Sequence, residues 1–265
     1  MGSMATIELR GHPTWVKVAK NKRPTLVLLH GGMSSSGSLQ RSIGRRLAKD
    51  FRIAAFDRRG HGRTADTAAP FHYEDMALET IAFLEWLGTP AHLVGHSDGG
   101  IVALLVALRR PDLVKRMVVV GANFHFSGLL PTPPFDYAST QFEQWREKYA
   151  RTSPDGADHA RAIIEKTLTM FATEPTMTTE DLKKIEVPVL VMAGDDEVID
   201  LAHTAALYEA LPNSQLAIVP GTSHAVLKER PRESSRLIRR FLRQRQAPET
   251  YMPYRRRDDA NPSLL

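Results

Sequence analysis

Short apolar runs alternate with amphipathic stretches along most of the chain. The apolar runs contain few polar residues, which is typical of strands that are buried on both faces of a parallel sheet. They lie at 25–29, 53–56, 92–94, 117–120, 187–193 and 216–219. Helical spacing marks the stretches between them, at 43–49, 73–87 and 101–109. The pattern predicts an α/β protein with a mainly parallel sheet flanked by helices.

This alternation breaks between residues 124 and 184. The segment begins with a Pro-rich turn and continues with helical spacing near 140–150, 159–171 and 179–184. We predict a small helical cap insertion over the sheet, so that the core comprises 4–123 and 185–246. Residues 247–265 are polar and predict a loosely packed C-terminal tail. Residues 1–3 resemble a cloning remnant and are left out of the predicted core.

The chain of 265 residues has a formal net charge of +5, and much of it falls between residues 232 and 245. Apolar residues recur there at helical spacing, which predicts a helix with its apolar stripe on the core and its arginines in water. The stripe is formed by Leu237, Ile238, Phe241 and Leu242. We therefore expect no nucleic-acid partner. The absence of cysteine, of a leader and of a long apolar run leads us to expect a cytoplasmic protein without membrane insertion.

A glycine-rich turn between a predicted strand and a predicted helix carries the candidate nucleophile. Residues 95–99 read Gly-His-Ser-Asp-Gly and match the pattern G-x-S-x-G in the structural context that it requires. Small residues must flank the nucleophile at such a sharp turn. Ser97 has a glycine two residues away on each side, whereas Asp98 would have the bulky His96 at that position. We assign Ser97 as the nucleophile.

A serine hydroxyl needs a base, and His224 follows the last predicted strand, in the chain order serine, acid, histidine. A carboxylate after the strand at 187–193 would orient its imidazole. We assign Asp196, because Val198 and Ile199 are expected to pack on the core and to fix the register. Counting from Gly194 selects Glu197 instead, which stays as the alternative.

A tetrahedral intermediate also requires backbone N–H donors for its oxyanion. We assign one to Asp98, the residue after the nucleophile. The other is expected from the glycine turn after the strand at 25–29, where Gly32 is preferred and Met33 is the alternative.

Taken in order, the segments 30–32, 57–62, 95–100 and 221–224 resemble the α/β-hydrolase family over roughly residues 24–242. Within it, 95–101 and 121–123 are similar to the biphenyl-hydrolase-like and valacyclovirase branch. The resemblance implies an α/β-hydrolase fold and a serine hydrolase that works through an acyl-enzyme. In that branch the aspartate after the serine binds an α-amino group. The alternative for Asp98 is a structural or solvent-facing role.

We expect hydrolysis of a carboxylic ester, a lactone or a related acyl bond in an apolar small molecule. The same residues would serve carbon–carbon bond hydrolysis or perhydrolysis, and a hydrolase-like binding protein is the non-enzymatic alternative. An apolar pocket is expected from cap residues, namely Phe124, Phe126, Phe135, Tyr137, Trp145, Met170, Phe171 and Met177. The histidines lack paired ligand spacing and no phosphate-binding loop is present, so we expect no metal and no cofactor.

Overall fold

The computed structural model describes residues 2–246, 248 and 250–252, and an eight-stranded sheet forms its centre. The strands are β1 (Gly2–Leu9), β2 (His12–Ala19), β3 (Thr25–Leu29), β4 (Arg52–Phe56), β5 (Ala91–His96), β6 (Val114–Val120), β7 (Val189–Asp196) and β8 (Ser214–Ser223). Their order is β1-β2-β4-β3-β5-β6-β7-β8. β2 pairs antiparallel with both β1 and β4 at one edge of the sheet. From β4 onward in this order, each strand pairs parallel with the next. The predicted fold class is confirmed.

Helices cover both faces of the sheet. They are α1 (Ser36–Leu39), α2 (Arg45–Leu47), α3 (Tyr73–Leu87), α4 (Asp98–Arg109), α5 (Thr140–Ala150), α6 (Ala160–Phe171), α7 (Thr179–Leu182), α8 (Leu201–Ala210), α9 (Val226–Glu229) and α10 (Pro231–Leu242). Side chains of α3 and α4 belong to the apolar cluster on one face, and those of α1, α9 and α10 to the cluster on the other.

The buried strands explain why their sequences are apolar throughout. Successive side chains of a strand point to opposite faces. In β5, Leu93 belongs to the cluster with α3 and α4, whereas Val94 belongs to the cluster with α10. Because both faces are covered, neither position tolerates a polar residue.

The edge formed by β1 and β2 differs from the prediction. Gly2 pairs with Ala19 and Ser3 with Val18, so residues that were left out of the predicted core extend the outer strand. Most side chains of β1 are exposed. An exposed edge strand carries no strong apolar pattern, which is why the sequence did not predict it.

The arginine-rich stretch forms the expected amphipathic helix. Ile238, Phe241 and Leu242 of α10 are buried, and Arg239 and Arg243 both contact Asp50 on the solvent side. None of the described helices has the length and apolar character needed to cross a bilayer. The predicted tail at 247–265 lies mostly outside the described residues.

The segment between β6 and β7 carries α5, α6 and α7, and polar contacts fix it to the core. The carboxylate of Asp66 accepts hydrogen bonds from Lys166 Nζ at 2.6 Å and from His159 Nε2 at 2.9 Å, both donors coming from this segment. At the other end, Trp145 Nε1 of α5 donates to the carbonyl of Met33 at 2.7 Å. The helices are therefore attached to two separate loops of the core.

The charge of Asp66 is stabilised by these contacts. Burial by itself would raise the pKa of Asp66, but the hydrogen bonds from Lys166 and His159 outweigh it and lower the pKa below its ordinary value. A carboxyl whose pKa is lowered by folding stabilises the folded state at pH values above its unfolded pKa.

We predict that Asp66→Asn lowers the free energy of unfolding at neutral pH by about 1–3 kcal/mol, because charge-assisted hydrogen bonds are lost. The contribution of Asp66 to the free energy of unfolding is fully present above about pH 4, the pKa of an unfolded aspartate. It is lost as the pH falls from there through the lower pKa of the folded state. Urea denaturation between pH 7 and pH 3 should therefore show the two proteins converging toward acid. A constant difference over this range would contradict the assignment.

Candidate active site

Ser97 lies at a strained turn between β5 and α4. Its φ of 54° and ψ of −123° are rare for a residue with a side chain. A Cβ atom at Gly95 would lie 2.0 Å from the carbonyl oxygen of Gly99, and one at Gly99 would lie 2.1 Å from that of Leu29. The turn can therefore form only with glycine at both positions, as the pattern predicted.

His224 follows β8 and forms a hydrogen bond with Glu197. Its Nδ1 lies 2.7 Å from Glu197 Oε2, and the glutamate side chain is completely buried while the imidazole is 27% exposed. The second contact of Oε2 is the N–H of Val198, at 3.0 Å. The carboxylate is thus held against Nδ1 of His224, and Nε2 is the nitrogen that remains for other partners.

The structure differs from the assignment of Asp196 as the acid that contacts His224. Asp196 is exposed at the end of β7, next to a register shift between Gly194 and Asp196. The prediction assumed that Val198 and Ile199 both pack on the core, but Val198 is 38% exposed and only Ile199 is buried. Beyond this irregularity the buried carboxylate is that of Glu197, the alternative, and it is Glu197 that contacts His224.

Gly121 and His96 complete the surroundings of this pair. Gly121 has a φ of 55°, and a Cβ atom there would lie 2.7 Å from Glu197 Oε1 and 2.9 Å from His224 Nδ1. His96 Nε2 lies 2.8 Å from the carbonyl of His224. Burial and the nearby His224 lower the pKa of His96 to about 4, so the ring is neutral and donates this hydrogen bond.

A cavity of about 350 Å³ opens above Ser97 and His224. The glycine turn at 31–34, α1 with the residues after it, α5 and α9 all contribute to its wall. Of the cap residues expected to form an apolar pocket, Trp145 alone lines this cavity, while Phe124, Met170 and Met177 are buried in the protein core. The expected apolar pocket of cap side chains is therefore not found at Ser97, since Phe171 also packs against the core cluster and Phe126 is exposed.

The side chain of Asp98 points away from this cavity into the protein. It is 2% exposed and accepts a hydrogen bond from Tyr73 Oη at 3.0 Å, and Arg58 Nη2 lies 4.0 Å from it. Burial raises the pKa of Asp98, and the nearby positive charge of Arg58 partly offsets this rise. Burial lowers the pKa of Arg58, and the negative charge of Asp98 partly offsets that fall. The geometry favours the structural role of Asp98 over contact with a substrate amino group.

Arg58 also holds the glycine turn that follows β3. Its Nη1 donates to the carbonyl of His30 at 2.6 Å and its Nη2 to that of Gly31 at 3.3 Å. His30 Nδ1 donates to the Gly31 carbonyl as well, at 2.8 Å. A Cβ atom at Gly32 would lie 2.6 Å from the Asp98 carboxylate, so the turn and the nucleophile's neighbour are packed without space for a side chain.

Sequence reasoning missed the parts played by Arg58, His96 and Gly121. Arg58 lies in the segment at 57–62, which carries part of the family resemblance, and its complete burial cannot be foreseen from its residue type. In the described part of the chain, no three His, Asp or Glu side chains come together as a metal ion requires.

Comparison with known sequences gives a match over most of the chain. The sequence profile described as "Alpha/beta hydrolase family" matches residues 26–236. The "Putative carbamate hydrolase RutD" of Pseudomonas syringae pv. syringae is 30% identical over 243 residues, which is 83% of this chain and 93% of that protein.

Solved structures show the same fold. The carboxylesterase CesB of Bacillus subtilis aligns with a TM-score of 0.69 at 23% identity, covering 92% of each chain. The 2-hydroxy-6-oxo-6-phenylhexa-2,4-dienoate hydrolase of Rhodococcus aligns with a TM-score of 0.74 at 18% identity, covering 92% of this chain and 99% of that one.

We predict that Gly121→Ala destabilises the protein more than Gly88→Ala. Both glycines have positive φ, and each substitution costs about 1–2 kcal/mol for that backbone conformation. A Cβ atom at Gly88 meets nothing within 4 Å, whereas one at Gly121 collides with Glu197 and His224, which adds about 1–3 kcal/mol. Urea denaturation of the two variants measures the difference. Equal losses would show that the Glu197–His224 contact is not confined by Gly121.

Proposed function

The chain belongs to the Alpha/beta hydrolase family and is a hydrolase, and we propose that it cleaves a carboxylic ester, a lactone or a related acyl bond through Ser97, His224 and Glu197. The observation that carries the proposal is the 2.7 Å contact between His224 and the buried Glu197, with Ser97 and His224 lining one cavity. This supplies a nucleophile, a base and a group that orients the base.

In the proposed mechanism, His224 removes the proton of Ser97 as its hydroxyl attacks the acyl carbon. Glu197 accepts a hydrogen bond from His224 Nδ1, which leaves Nε2 free to take that proton and stabilises the imidazolium that forms. His224 then protonates the leaving alcohol, and an acyl-enzyme remains. Water activated by His224 hydrolyses it, which releases the acid and restores Ser97.

We assign the oxyanion site to the backbone N–H groups of Asp98 and Gly32, with Met33 as the alternative to Gly32. The C=O and N–H of a trans peptide unit point in opposite directions. His30 and Arg58 bind the Gly31 carbonyl from one side, so the N–H of the same peptide unit, which belongs to Gly32, is directed to the other side. Ser97 N–H is engaged by the Val120 carbonyl at 2.8 Å, which leaves the next N–H, that of Asp98, for the intermediate.

Two other reactions stay as second candidates for this site. Carbon–carbon bond hydrolysis and perhydrolysis would use the same three residues, and product analysis distinguishes them. Since a relative is named as a carbamate hydrolase, carbamates are included among the acyl compounds to be tested. The domain boundaries, the cytoplasmic location and the absence of a nucleic-acid partner stay predictions from the sequence.

We predict that Ser97→Ala removes ester hydrolysis and covalent labelling by a fluorophosphonate, because the attacking oxygen is lost. Hydrolysis of 4-nitrophenyl acetate and intact-mass spectrometry of the labelled protein measure the two effects. Loss of labelling without loss of turnover would exclude Ser97 as the nucleophile.

We predict that Glu197→Gln lowers kcat by about 10³- to 10⁴-fold, because an amide no longer holds the required tautomer or stabilises the imidazolium. Asp196→Asn is the matched control. It removes one carboxylate from the neighbouring position, where the side chain is exposed, and is expected to change kcat by less than about threefold. The reverse ranking of the two variants would restore Asp196 as the acid.

A further inference from the structure

The charged side chains that line the cavity above Ser97 are all positive lysines. Sixteen residues line it, and two of them, Lys148 and Lys228, are lysines, while none is Asp or Glu. Serine hydroxyls form much of the remaining polar wall, at Ser34, Ser38, Ser42 and Ser223. A substrate bound at Ser97 therefore meets two positive charges and no carboxylate.

Both lysines are positioned by elements that also build the site. Lys148 follows Trp145 by one helical turn on α5, so the two side chains share a face of that helix. Trp145 fixes this face to the glycine turn through its hydrogen bond to the Met33 carbonyl. Lys228 lies on α9, the short helix that begins directly after the loop of His224. Their placement relative to Ser97 is therefore set by the fold.

Nearby acids are already engaged with other partners. Glu143 of α5 pairs with Arg146, and Glu147, the immediate neighbour of Lys148, pairs with Arg151. Glu229, the neighbour of Lys228, accepts hydrogen bonds from the N–H and hydroxyl of Ser223 at 2.8 Å. Within the described residues, neither lysine has an ion pair of its own.

The electrostatic surroundings of Lys148 are unfavourable for its charge. Partial burial, followed by the positive charges of Lys228 and Arg41, lowers the pKa of Lys148. An anion placed between the lysines would relieve this repulsion, and hydrogen bonds to charged groups are among the stronger ones in proteins.

We propose that the substrate carries a carboxylate, which Lys148 and Lys228 bind while Ser97 attacks the acyl carbonyl. This inference rests on the proposed function and specifies its substrate class: an ester, lactone or related acyl compound with a free carboxylate. The bound carboxylate takes no part in bond making. Its role is to fix the orientation of the acyl group, and the hydroxyls of Ser34 and Ser38 provide further donors on the same wall.

The test compares pairs of esters that differ only in charge. Monoethyl glutarate carries its carboxylate on the acyl side, and O-acetylglycolate carries it on the alcohol side; the matched primary amides are the neutral partners. We expect kcat/KM for the anionic member of at least one pair to exceed that of its amide by about tenfold or more. The preference should weaken as salt is raised, because exposed charges are screened.

The variants Lys148→Met and Lys228→Met test whether the preference for anionic esters comes from these two lysines. Each is expected to lower the anionic-to-neutral ratio of kcat/KM by about tenfold, and Lys148→Glu is expected to reverse it. Lys22→Met is the matched control, since Lys22 is exposed in the turn between β2 and β3 and does not line the cavity. It should leave both rates unchanged.

Protection against fluorophosphonate labelling separates this inference from the proposed function. Glutarate should slow labelling of Ser97 more than glutaramide does, and the difference should disappear in Lys148→Met. Labelling without any charge preference, in protection or in turnover, would overturn the carboxylate proposal and leave the serine hydrolase intact. A lack of both labelling and turnover would overturn the proposed function itself.

Discussion

The close approach of backbone segments at Ser97 is the constraint on which the rest of the site depends. A side chain at Gly95 would collide with the backbone of α4, and one at Gly99 would collide with the end of β3. These contacts let β3, β5 and α4 meet with no side chain between them. Ser97 is thereby held in its strained conformation at the carboxyl edge of the sheet, where the loops after the parallel strands also converge.

The features that sequence could predict are those with a local and repeated cause. Strands buried on both faces must be apolar throughout, so β3 and β5 were recognisable, and helical spacing located α3 and α5 close to their observed bounds. Ser97 was recognisable for a related reason, since the turn that exposes it admits only small residues at fixed positions. His224 followed from its place after the last strand.

The features that sequence could not predict depend on distant contacts or on one-residue irregularities. Three acids follow one another at 195–197, and the two ways of counting the register select different ones, so only the structure shows that Glu197 contacts His224. The aromatic cap residues were assigned to a pocket because composition cannot separate a pocket wall from a packing face. The pairing of Arg58 with Asp98 likewise joins segments that are far apart in the chain.

The hydrogen bond between Trp145 and the Met33 carbonyl joins the cap to the turn beside Ser97. Trp145 and the backbone beside Gly32 cannot move apart without loss of this hydrogen bond, so the position of α5 and the shape of the turn are coupled. Because Trp145 also lines the cavity, one side chain both bounds the space above Ser97 and supports the turn beside it.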